Sequence, residues 1–83
     1  MCYCYIIYSI KLDRYYVGST CDDLNERLRR HNSNHKGFTG KANDWNFVYI
    51  EEFESTTTAR KRERQIKTWK SRKMILELIS SSK

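Results

Sequence analysis

A few side chains in this sequence carry reactive chemistry at suggestive spacings. Glu63 is the only acid within residues 60–73, where eight of fourteen residues are Lys or Arg. On a helix, Ala59, Glu63 and Ile66 share one side, so the carboxylate falls on the stripe that faces a core or a groove. A carboxylate there needs a partner, because an unpaired buried charge is costly. Two partners fit: Lys67, placed at i+4 for an ion pair, or a divalent metal ion. Arg27 and His31 also lie four apart and flank a Leu24–Leu28 stripe. A guanidinium fork holds a phosphate by two hydrogen bonds, and an imidazole beside it moves a proton near neutral pH. The plainer alternative is a solvated helix face, to which Arg29 and Arg30 belong. Tyr3, Tyr5, Tyr8, Tyr15 and Tyr16 crowd the first segment. Each can be a packing residue with a wet tip, and a phenol becomes a general base only where positive charge lowers its pKa from about 10. Gly18 marks either a strand exit or a close approach by a neighbour.

The elements that must position these groups are short. The chain has 83 residues, which sets the expectation of one domain with a modest core. Residues 2–10 read as a strand, residues 11–14 as a polar break, and residues 15–19 as a second strand of a hairpin. Thr20, with Asp23 three residues later, predicts a helix start, and that helix runs to about Asn32. Residues 32–45 read as a surface loop. Residues 46–53 predict a third strand with Phe47, Tyr49 and Phe53 on one face and Val48 and Ile50 on the other. Ser55 or Thr56 caps a second helix to about Trp69. Ser71 caps a third, with Ile75, Leu78 and Ile79 on its apolar stripe. Residues 80–83 read as a frayed tail. The order β-β-α-β-α-α implies an α+β fold, a small antiparallel sheet with helices packed on it.

Composition narrows the classes. Sixteen Lys and Arg against ten Asp and Glu give a net charge of +6, which favours a polyanionic partner, nucleic acid first. Aromatic residues make up 13%, too many for a disordered chain. No apolar stretch is long enough to span a bilayer, and a secretory leader is not expected, because the first apolar run stops at Lys11 without a basic segment before it. Three cysteines do not suit a disulfide framework, so the reading is a reduced, cytoplasmic protein. Cys2, Cys4, Cys21, His31 and His35 lack a Cys-x-x-Cys knuckle and make a poor zinc set. In the loop at 34–41, Lys36, Phe38 and Lys41 offer charge and a stacking ring, the alternative being a loop that is merely solvated.

Taken in order, these pieces resemble the GIY-YIG nuclease family. The matching residues are Tyr3-Cys-Tyr5, Tyr16-Val-Gly18 eleven residues on, and Asp23-Leu-x-x-Arg27-x-x-x-His31. They continue with Trp45-x-x-Val48-Tyr49-x-Glu51 and Ala59-x-x-x-Glu63-x-x-Ile66-Lys67-x-Trp69, so the likeness runs from about residue 2 to residue 79. It is nearest in kind to small stand-alone bacterial members similar to the N-terminal nuclease domain of the excision-repair protein UvrC. Tyr3 and Cys4 depart from the glycine and isoleucine of the family name.

The resemblance implies a three-stranded antiparallel sheet and divalent-metal-dependent hydrolysis of DNA phosphodiester bonds, with DNA repair or recombination as the setting. It makes Tyr5, Tyr16, Arg27, His31 and Glu63 the catalytic set, Glu63 the ligand for Mg²⁺ or Mn²⁺, and Gly18 a structural glycine. Around that set, Arg30, Lys36, Phe38, Lys41, Arg60, Lys67 and Lys70 are the expected nucleic-acid contacts. DNA is the expected substrate with RNA left open, and no membrane partner is expected. The competing reading is a catalytically weak nucleic-acid-binding module of the same fold. Without a second recognition domain its affinity would be mostly electrostatic. Size alone, 83 residues with little surface left for substrate choice, adds a third and weaker reading in which a protein partner or a second copy of the chain supplies specificity.

Overall fold

A computed structural model describes residues 1–33 and 35–81. Strand β1 (Cys2–Ser9) pairs antiparallel with β2 (Arg14–Thr20) and with β3 (Asn46–Phe53), giving the sheet order β2-β1-β3. Helices α1 (Leu24–His31), α2 (Thr56–Trp69) and α3 (Arg72–Ser81) complete the predicted α+β order. The β1–β2 connection turns at Asp13, which takes a left-handed φ of 53°. Its carboxylate then accepts from Tyr8 and pairs with Arg72 at 2.6 Å, tying the hairpin tip to α3.

Alternation along β1 divides the interior in two. Cys4 and Ile6 point to the α2 and α3 side, where they meet Val17, Ile66, Ile75, Leu78 and Ile79. Tyr5 and Ile7 point the other way and pack with Trp45, Leu24, Leu28 and Phe47. The sheet is therefore a central layer, buried on both faces along β1 and flanked by α1 on one side and the α2–α3 pair on the other.

Four local expectations change. Helix α1 starts one turn late. Asp23, not Thr20, is its N-cap and accepts from Glu26 N–H, while the Thr20 hydroxyl accepts from Asp22 N–H in a tight turn of its own. Along β3 the predicted faces do not hold. A register shift lets Ile6 pair with Tyr49 and Ile7 with Phe47, so Val48 is the extra residue of a bulge. Phe47 consequently packs on the α1 side, and Val48, Tyr49 and Phe53 on the other. Residues 80 and 81, expected to fray, belong to α3. The other two residues of that expected tail, Ser82 and Lys83, lie outside the described residues, as does Asn34 of the loop.

The fourth change concerns the cysteines. Cys2 and Cys21 form a disulfide, and only Cys4 is a free thiol. The register explains it. Tyr3 faces Thr20 across the hairpin, so the next position out on each chain brings Cys2 opposite Cys21. Counting cysteines cannot show this, and the inference of a reduced protein from an odd count fails. Burial pushes the Cys4 thiol up to about 12, so it stays protonated. Among the described residues, no helix is long and apolar enough to cross a membrane.

Candidate active site

Strand β2 is an edge of the sheet, and the predicted residues gather around it from both sides. Tyr16 packs toward α1, while Tyr15 and Val17 pack toward α2 and α3. Gly18 lies directly across from Tyr5. A Cβ on Gly18 would stand 2.6 Å from Tyr5 Oη, so this glycine is needed for the close approach of a phenol to the β2 backbone.

On the α1 side the groups form one chain of contacts. Tyr5 Oη lies 2.7 Å from His31 Nε2, and Arg27 Nε donates to the same oxygen at 3.3 Å. The His31 ring stands edge-on to Tyr5 and tilted against Tyr16, with a Tyr16–His31 centroid distance of 5.2 Å. Tyr5 and His31 are buried, whereas Tyr16 and Arg27 are partly exposed. Burial, with Arg27 adding to it, lowers the His31 pKa to about 4, so the ring is neutral at physiological pH. Burial raises the Tyr5 pKa, against the opposing pull of Arg27. The Tyr5 contact in turn holds the Arg27 pKa above its ordinary value. A cleft of about 350 Å³ opens here, lined by Tyr16, Arg27, Arg30, His31 and Phe38.

On the other side, α2 places Glu63 against β2. The Ser19 hydroxyl donates to Glu63 Oε1 at 2.5 Å, and Lys67 Nζ meets Oε2 at 2.7 Å. The ion pair expected from the i+4 spacing is therefore formed. Lys67 also reaches over the Tyr16 ring, 5.4 Å from its centroid, which joins the two sides across the edge strand. A second cleft, also of about 350 Å³, runs from Arg27 past Ser19 to Thr56 and Arg60.

The remaining predicted contacts scatter around these clefts. Phe38 and Lys41 sit together on a single 3₁₀ turn, with Lys41 Nζ 5.6 Å from the ring centroid. The Phe38 ring lies nearly parallel to Tyr16. Arg60, Lys67 and Lys70 share the groove beside Glu63, and all three are exposed. Arg30 is engaged with Glu26 at 3.7 Å, and Lys36 is exposed on the loop. The weighed zinc set is dispersed: two of its cysteines are joined to each other and Cys4 is buried on the opposite face. Among the described residues, no group of three or more His, Cys, Asp or Glu is placed to hold a metal ion.

Sequence reasoning missed two groups. Ser19 holds Glu63, but only the strand's alternation, once the α2 face is known, points to it. Buried Thr39 bonds the far nitrogen of His31 at 2.9 Å from within a run of polar loop residues that reads as solvated.

A three-stranded antiparallel sheet flanked by helices carries these tyrosines, the arginine of α1 and the glutamate of α2. The family model of the GIY-YIG catalytic domain matches residues 1–75, and the chain belongs to that family of nucleases. No match was found among curated proteins or among solved structures.

Proposed function

We propose that this chain is a divalent-metal-dependent endonuclease that hydrolyses DNA phosphodiester bonds in the clefts around β2. The observation that carries the reading is the meeting of Arg27, Tyr16 and Glu63 about one edge strand, each partly open to solvent.

The donor set suits a hydrated hard cation. One half-buried carboxylate beside the Ser19 hydroxyl leaves most coordination positions to water and phosphate, as Mg²⁺ or Mn²⁺ prefers. Such an ion, held by Glu63, would polarise the scissile phosphate and stabilise the leaving oxygen. In hydrolysis a water oxygen bonds to phosphorus, the bond from phosphorus to the leaving oxygen breaks, and a base takes the water's proton. Tyr16 serves as that base, because it borders the cleft whereas Tyr5 is fully buried. Tyr5 has no exposed surface and acts by holding Arg27, whose guanidinium lines the cleft and binds charge that builds on the phosphate. Neutral His31 orients Tyr5. The lysines and arginines along α2 supply attraction for a polyanion without choosing its sequence.

The binding-module reading has one observation in its favour. Both oxygens of Glu63 are engaged, one by Ser19 and one by Lys67, and a metal must displace at least the lysine. Glu63→Gln separates the two readings. Plasmid cleavage in Mg²⁺ and in Mn²⁺ should fall about a hundredfold or more while DNA binding persists or improves. Equal cutting by wild type and variant would overturn the catalytic reading.

A further inference from the structure

The 35–41 loop closes around a second histidine that the proposed mechanism does not use. His35 Nε2 lies 2.9 Å from Thr39 Oγ1, and that hydroxyl lies 2.9 Å from His31 Nδ1. The His35 ring is fixed at its other end, where Gly37 N–H donates to Nδ1 at 3.0 Å. Both glycines of the loop accommodate this residue. A Cβ at Gly37 would stand 3.0 Å from His35 Cε1, and one at Gly40 would overlap the His35 carbonyl.

These contacts fix the donation at His35, and one direction beyond it gives the hydrogen of the buried Thr39 hydroxyl an acceptor. A backbone N–H can only donate, so His35 Nδ1 must present its lone pair to Gly37. The ring then carries a proton on Nε2 and donates it to Thr39 Oγ1. The Thr39 hydroxyl has two lone pairs and one hydrogen; it is buried, and among the described residues His31 Nδ1 is the acceptor in reach, so the hydrogen goes there. His31, itself neutral, must hold its proton on Nε2 and direct it at Tyr5 Oη. The opposite direction would place an Nδ1–H of His35 against the Gly37 N–H, donor against donor.

We propose that His35 is a positioning residue that sets the tautomer of buried His31 through Thr39, so that the Tyr5 oxygen is clamped between two N–H donors, His31 Nε2 and Arg27 Nε. A phenol oxygen held by two donors is fixed in place, and the clamp in turn fixes the orientation of Arg27. The tautomer follows from the hydrogen-bond geometry together with the neutrality of the buried His31 ring. Only its effect on cleavage rests on the nuclease reading.

The test is nitrogen-15 NMR of the imidazoles in the full chain at neutral pH, for wild type, His35→Ala and His35→Gln. Wild-type His31 should show its proton on Nε2. In His35→Ala, Thr39 is free to rotate, and His31 should shift to a mixture with the Nδ1–H form. In His35→Gln, the side-chain amide can still donate to Thr39, and the wild-type form should return. A wild-type His31 protonated on Nδ1, or an unchanged tautomer in His35→Ala, overturns the proposal. In cleavage assays His35→Ala should lower kcat about tenfold with KM little changed, and His35→Gln should restore it. A changed tautomer beside an unchanged kcat removes the positioning role. A changed tautomer in a protein that cuts nothing leaves the clamp standing and refutes the nuclease reading instead.

Discussion

The two faces of the sheet hold their polar groups in different ways. Toward α1, Tyr5, His31 and Thr39 are buried and joined by hydrogen bonds in which only Arg27 is charged. Toward α2, Glu63 with Lys67 and Glu51 with Arg62 are ion pairs at partly exposed positions. Buried networks of neutral groups are rigid because every lost partner leaves a desolvated atom behind. Exposed ion pairs cost little to exchange, because water and other ions replace the partner. The α1 face is thus built to hold geometry, whereas the ion pairs of the α2 face exchange partners at little cost.

Three measurements would break or sharpen that contrast. The largest effect belongs to neither face. Cys2–Cys21 closes a sequence separation of 19 residues, and its reduction should cost about 3 kcal/mol. Urea unfolding with and without a phosphine reductant measures it, and an unchanged midpoint would show that the cross-link does not restrain the unfolded chain. The next effect tests the neutral face. The His31 pKa falls from 6.5 in the unfolded chain to about 4 when folded, so the native state binds fewer protons. Stability is full above pH 6.5 and drains away as the pH falls toward 4. Between pH 7 and pH 5 the loss should be about 2 kcal/mol, in a range where ordinary carboxylates stay ionised. His31→Asn should flatten that limb of the curve, and a wild type equally stable at pH 7 and pH 5 would contradict it. The smallest effect tests the ionic face. Arg62→Ala removes the 3.0 Å pair with Glu51 and should cost less than about 1 kcal/mol, shrinking as salt is added. A loss of several kcal/mol that salt does not alter would mean that the two faces are not so different.

The sequence discloses much of this architecture, and its failures have causes. The strands, the α2 cap at Ser55 and the apolar stripe of α3 follow local rules of period and capping, and all appear in the structure. The faces of β3 misread because a bulge is set by pairing with β1, which no window of β3 contains. The disulfide misreads for a similar reason: Cys2 and Cys21 become neighbours only through hairpin register. Within the site, Arg27, His31 and Glu63 stand at helical spacings that can be counted. Ser19 and Thr39 could not be found that way, because each acts on a residue of another element.

Trp45 carries a further consequence. Its buried indole donates to the Thr39 carbonyl at 2.9 Å and lies tilted against Phe38, with ring centroids 6.1 Å apart. The fluorophore is thus mechanically linked to one wall of the Tyr16–Phe38 cleft. The other tryptophan, Trp69, packs on the opposite side of the sheet. Once that second emitter is replaced by phenylalanine, light from a single natural indole would follow whatever enters or leaves the cleft, with no label attached.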